Sequence, residues 1–292
     1  MNLFVPVSRR IKAGLIAALL MLSLSGCIPV SADADALKES EENAVLLPIL
    51  MYHGILPDNS KGLGDYVVSV SEFESDLKYL RDQGYTAVGM DRVIAYVKEG
   101  KALPEKPVMI TFDDGYYNNY LYAYPLVKQY SSHMVLSPIC KWTDFYTEDG
   151  TVDARYTHVT WDQIREMTAS KAVEIQNHSY DLHTCNKGRQ GSARAHGESV
   201  PVYQELLRND LSKAQERIGA CIGEKPSTFT YPFGAVSKEA GEVLRSLGFE
   251  AALTCEEKVN RLTREEECLF RLGRFRRPHG VPGDAFLKRI LP

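Results

Sequence analysis

The chain has 292 residues, 44% of them hydrophobic and 25% charged, with a formal net charge of −4. This is the composition of a globular chain, and it excludes a disordered, collagen-like or polytopic membrane protein. An acidic chain has no long-range attraction for polyphosphate, so nucleic acid is excluded as the expected partner.

The first predicted segment is an address. Arg9, Arg10 and Lys12 precede an apolar run from Ala13 to Leu24, and Ser25-Gly26-Cys27 follows. A basic flank, a short apolar core and small residues describe a secretory signal. The run falls short of the roughly 20 apolar residues of a comfortable bilayer span. Leu24-Ser25-Gly26-Cys27 also resembles a bacterial lipobox, in which Cys27 is lipidated and becomes the new N-terminus. Residues 1–26 are therefore expected to be a lipoprotein signal peptide. Residues 27–44 are expected to be a flexible tether, because Asp33, Asp35, Glu39, Glu41 and Glu42 leave little apolar surface to bury. Residues 45–292 are expected to form one domain, held at the outer face of a membrane through Cys27. Five cysteines remain: Cys140, Cys185, Cys221, Cys255 and Cys268. An odd number outside the cytoplasm leaves at least one thiol unpaired, and buried thiols with at most one disulfide are expected.

Strand-like and helix-like segments then alternate. Leu47–Tyr52 is an apolar strand. Phe73, Leu77 and Leu80 fall at helical spacing in 72–83, which Gly84 ends. Strands are predicted at Tyr85–Val88, Val108–Phe112, Met134–Ser137, Val173–Gln176, Phe229–Tyr231 and Ala251–Thr254, with Leu269–Phe275 the last. Helices are predicted at 91–99, 117–130, Trp161–Ser170, 202–218 and 237–247. Such alternation implies parallel strands with crossover helices, and seven or eight strands suit a barrel or a doubly wound sheet. In either architecture chemistry belongs at the carboxyl ends of the strands.

The unusual polar clusters stand at those ends. Asp113-Asp114-Gly115 follows the strand at 108–112; Asn177, His178 and His183 follow that at 173–176. Pro232-Phe233-Gly234 follows 229–231, and His53 follows the first strand. Two imidazoles and one carboxylate make a three-ligand site with open positions, the pattern of a catalytic metal. Adjacent aspartates on an extended chain point opposite ways. One can therefore bind metal while the other faces the metal-bound water and takes its proton. Taken singly, each cluster is ordinary: Asp-Gly is turn chemistry, and strand-end histidines are common. Their joint placement is what points to a site.

Thr111-Phe112-Asp113-Asp114-Gly115, His178-Ser179-x-x-x-His183 and Tyr231-Pro232-Phe233-Gly234 resemble the motifs of the polysaccharide deacetylase family, carbohydrate esterase family 4. The resemblance covers about residues 45–275. It implies an α/β fold, an irregular (β/α) barrel of about seven parallel strands. It implies metal-dependent removal of N- or O-acetyl groups from an N-acetylated polysaccharide, with zinc the first choice of metal and cobalt, nickel or iron the alternatives. By the same resemblance Asp113 is the base, Asp114, His178 and His183 are the metal ligands, and the Phe233 backbone N–H helps hold the oxyanion. The chain departs from the family at Thr230, where most members carry the arginine that orients the base. Arg274, following residues 269–273 at the end of the last predicted strand, is the candidate replacement, with a surface salt bridge as its ordinary alternative. The family's late catalytic histidine is also missing. Pro48-Ile49-Leu50-Met51-Tyr52-His53 instead resembles the start of the permuted subgroup that includes poly-N-acetylglucosamine deacetylases, which makes His53 the candidate acid and His279 the fallback. The Gly-rich segment 187–199, with His196, is expected to be a mobile rim loop. Rival readings are an esterase or cyclic-amide hydrolase on the same scaffold, and a catalytically idle glycan-binding lipoprotein.

Overall fold

The computed structural model describes residues 44–186 and 188–292. The expected signal peptide, Cys27 and the tether through residue 43 lie outside the described residues.

Seven parallel strands surround the site: β1 (Ile49–Tyr52), β2 (Pro107–Asp114), β3 (Met134–Pro138), β4 (Val173–Ile175), β5 (Thr228–Thr230), β6 (Ala251–Leu253) and β7 (Phe275–Arg276). Continuous parallel ladders run in the order β7-β1-β2-β3-β4, and β5 pairs with β6. Among the described residues no continuous ladder closes a barrel. Single parallel bridges, Asn177–Phe229 and Leu253–Leu272, span the two gaps instead. The ring is thus mixed α/β with the expected strand number and an irregular closure.

Alternation along the strands sorts the core. Ile49, Met109, Val135, Ala251 and Leu253 pack together inside the ring, with Val93, Ile94 and Val97 of helix α2 (Met90–Glu99). The opposite faces carry Leu50, Tyr52, Ile110, Phe112 and Leu136, which pack on Phe73 and Leu77 of α1 (Val70–Asp82) and on Val127 of α3 (Tyr124–Gln129). Each such fully buried side chain contributes about 1.5–3 kcal/mol. Phases set this way put Met109, Thr111 and Asp113 on the inner face of β2, so Asp113 faces the mouth.

The remaining helices are α4 (Cys140–Asp149), α5 (Trp161–Ala169), α6 (Val200–Ile222), α7 (Ala240–Ser246) and α8 (Gly283–Ile290). Two expectations change. The helix over 117–130 begins as a π turn, Asn119–Ala123, and becomes α-helical only at Tyr124. Pro125 has no N–H to give the fourth residue back, and the wider turn carries the chain past it. The segment predicted as the last strand is a 3-10 turn, Glu266–Arg271, and pairing in β7 begins only at Phe275. Leu269 and Leu272 are both buried, and a spacing of three suits a 3-10 turn rather than strand alternation. The five cysteines among the described residues are all free thiols.

Candidate active site

The four clusters meet in one cleft of about 710 Å³, whose walls include His53, Asp113, Asp114, Tyr116, His178 and His183. The floor depends on one close approach. Gly115 has φ +76°, and a Cβ there would meet the Pro138 Cβ at 2.7 Å, so only glycine lets the ends of β2 and β3 come together.

Asp113 is held by a fully buried arginine. Arg274 Nη1 donates to Asp113 Oδ1 at 2.7 Å, and Nη2 donates to Oδ2 at 2.8 Å. Its Nε donates to the Thr254 carbonyl, and Nη1 also reaches Thr111 Oγ1. Arg274 is 0% exposed. The surface alternative therefore fails, and the guanidinium stands where it can orient the carboxylate. Burial pushes the Asp113 carboxyl up, but the Arg274 charge and hydrogen bonds, together with His178 and His53, outweigh it and hold the group below the ordinary carboxylate range.

Asp114 corrects the expectation that neighbouring aspartates point apart. Its φ is +68°, so the chain leaves the extended conformation there and the side chain turns back into the same cleft. Asp114 Oδ1 lies 3.4 Å from His178 Nε2 and 3.3 Å from His183 Nε2. It is buried yet has no hydrogen-bond partner. One ligand atom from each of Asp114, His178 and His183 falls within 4.8 Å of the others, the only such group among the described residues. Nδ1 of His178 faces the Thr230 carbonyl at 2.8 Å, which fixes that nitrogen as the donor and leaves Nε2 with a free lone pair. An orphaned buried carboxylate oxygen between two imidazole lone pairs is a donor set that fits a divalent cation. Burial pushes His178 down, but the Asp114 and Asp113 carboxylates together raise it; burial dominates at His183 and lowers it.

His53 Nε2 lies 4.0 Å from Asp113 Oδ2, and its Nδ1 is buried without a partner. The Asn119 side chain donates to the His53 carbonyl at 2.6 Å and ties down the strand end. Burial lowers the imidazole pKa against the pull of Asp113 and Asp114. Phe233 lies on a turn at φ +57°, with its ring 4.2 Å from that of His183. His279 is elsewhere: it is partly exposed, pairs with Glu72 at 2.7 Å and does not line the cleft. His196 is exposed.

Several contributors had no sequence signal. Asp210, in the middle of α6, accepts from the backbone N–H groups of Tyr180 and Asp181, both at 2.8 Å, and so shapes the turn between His178 and His183. Thr230 and Ser137 hydroxyls meet at 2.8 Å. Within the expected rim segment, Arg189–Gln190 pairs with Cys185–Asn186 just before it, and Arg189 is bonded to both Ala193 and Glu198.

The polysaccharide deacetylase family model matches residues 100–252. The chain belongs to the polysaccharide deacetylase family. Among curated proteins, the poly-beta-1,6-N-acetyl-D-glucosamine N-deacetylase of Escherichia coli (strain K12) is 29% identical over 211 residues, 65% of this chain and 31% of that one. The chain thus spans about a third of the length of the first curated relatives it matches. The protein of the same name from Staphylococcus aureus (strain MSSA476) is 25% identical over 266 residues, 82% of this chain and 86% of its own. Among solved structures, a de-N-acetylase from Aggregatibacter actinomycetemcomitans superimposes with a TM-score of 0.69 at 27% identity, covering 80% of this chain and 95% of that one. IcaB from Ammonifex degensii gives 0.66 at 28% identity, covering 82% and 93%. The chain therefore shares its fold with those two solved structures.

Proposed function

We propose that the chain removes N-acetyl groups from an extracytoplasmic polymer of N-acetylglucosamine, with a divalent metal, zinc first, held by Asp114, His178 and His183. The observation that carries this reading is the juxtaposition of that ligand group with Asp113, clamped by a buried arginine, and with His53 beside it. The E. coli and S. aureus relatives, both named as poly-beta-1,6-N-acetyl-D-glucosamine N-deacetylases, support the choice of glycan.

A bound divalent ion would supply Lewis-acid polarisation of the acetyl carbonyl and acidify an attacking water. The chain supplies the rest. Asp113 accepts the proton of the attacking water, and Arg274 keeps that carboxylate ionised and in one orientation. The Phe233 N–H donates to the developing oxyanion. His53 delivers a proton to the departing amine, because an amide anion is a very poor leaving group.

The test is acetate release from β-1,6-linked N-acetylglucosamine oligomers, run beside chitin, peptidoglycan and acetylated xylan. Chelation should abolish release and added zinc should restore it. Equal rates with and without metal, or release from ester substrates alone, would overturn the reading. Location is part of the same proposal. With Cys27 lipidated, Cys27→Ser should shift the protein from the membrane fraction to the soluble fraction or leave it unprocessed. A wild-type protein found soluble and cut elsewhere would refute the anchor.

A further inference from the structure

Helix α4 was not apparent in the sequence, and its outward face is aromatic. Of the exposed large hydrophobic side chains among the described residues, Trp142, Phe145, Val152 and Tyr156 fall within a stretch of 15 residues. Two more, Tyr66 and Phe233, line the cleft itself. Trp142 is 38% exposed, Phe145 49% and Tyr156 52%. Apolar side chains clustered in water on one short segment gain nothing from folding and mark a surface that an occupant would bury.

The patch is continuous with the cleft. Tyr116, in the cleft wall, packs on His158 with ring centroids 4.9 Å apart. His158 in turn stacks on Tyr146 at 5.6 Å and on Trp142 at 5.9 Å. Phe145 lies a further 6.1 Å from Trp142, edge to face. Arg155, beside Tyr156, lines the cleft as well. A row of rings thus leads from the metal-site wall to the surface.

We propose that the aromatic face of α4, with Tyr156 in the segment that follows, is an extended subsite for the same glycan chain whose reacting sugar sits in the cleft. This rests on the polysaccharide reading above. A β-linked glucosamine ring carries its polar substituents equatorially and presents flat C–H faces, which stack on aromatic π faces. The charge on the helix argues against a membrane as the occupant. Lys141 is its one base and pairs with Asp181, while Asp144, Glu148 and Asp149 are acids. A helix that lies on a membrane surface surrounds its apolar face with Lys and Arg.

The test compares kcat/KM for acetate release from a β-1,6-linked N-acetylglucosamine dimer and hexamer. The wild type should prefer the hexamer, and Trp142→Ala/Phe145→Ala should reduce the hexamer-to-dimer ratio about tenfold, the effect of 1.4 kcal/mol. An equal fall on both substrates, or an unchanged ratio, would overturn the subsite. So would loss of binding to phosphatidylglycerol vesicles with the ratio intact, which would assign the patch to lipid. A second measurement does not depend on turnover. The chain has two tryptophans, and the other, Trp161, is buried. Hexamer added to Asp113→Asn should therefore shift the emission of Trp142 saturably, and Asp113→Asn/Trp142→Phe should lose that shift; no shift would overturn the subsite. A wild type that releases acetate from no oligomer would sink the functional reading, whereas an active wild type without length preference would sink only the subsite.

Discussion

Arg274→Met separates the two charges on which the site is built. The wild-type pair is buried on both sides, with the guanidinium fully enclosed and both carboxylate oxygens engaged. Removing one partner strands the other charge in the interior, which costs about 3–5 kcal/mol. In a domain of this size each kcal/mol moves the melting temperature about 2–4 °C, so a fall of roughly 6–20 °C is expected. Part of that loss comes from the Thr254 carbonyl and Thr111 hydroxyl, which lose a donor regardless of Asp113. A double-mutant cycle separates the parts. Asp113→Asn/Arg274→Met removes the stranded charge and should recover at least about 2 kcal/mol relative to Arg274→Met alone. Melting is followed by circular dichroism with chelator present, because a bound cation would also compensate Asp113. Acetate release should fall with Arg274→Met even where the protein is fully folded, since the base loses its orientation. A melting temperature within 2 °C of wild type, or a double variant no more stable than Arg274→Met, would refute the argument that the pair is a coupled buried unit.

His178→Gln should lose stoichiometric zinc binding, read by metal analysis after dialysis, and acetate release with it, while the far-ultraviolet dichroism stays native. His53→Ala should lower kcat by about 10²–10⁴-fold on N-acetyl substrates and less on O-acetyl esters, with zinc affinity unchanged; loss of zinc would instead make His53 a ligand. Asp210 tests burial against hydrogen bonding. Burial outweighs its two backbone N–H bonds and raises its pKa to about 6. The fold therefore favours its protonated form, and this stabilisation is complete below about pH 4 and lost as pH rises through 6. Asp210→Asn should remove that slope, worth roughly 3 kcal/mol, from urea-unfolding curves measured between pH 4 and 6; an unchanged slope would show that the carboxyl is not the titrating group.

Much of the site is local and therefore legible in the sequence. His53, Asp113, His178 and Phe233 each sit directly after an apolar strand, and parallel strands bring their carboxyl ends to one mouth whatever the details of the connections. The missing arginine at Thr230 is equally visible, and it directs attention to Arg274. Local pattern fails where one residue departs from its element. Alternation alone turns Asp114 away from Asp113, and only the left-handed backbone at Asp114 and Gly115 returns it to the histidines. It fails again at α4, which no periodicity announces and whose Trp142 and Phe145 lie at the surface in the fold. The partners of the site residues are beyond any local reading: Arg274 is 161 residues from Asp113, and Asp210 is about 30 from the turn it holds. Sequence by itself determines the strand ends and the donor types, because these follow from periodicity and side-chain chemistry. Which arginine fills the space beside Asp113, and which oxygen is left orphaned between two imidazoles, is decided only when packing excludes water and every buried charge must find a partner within the strand ring.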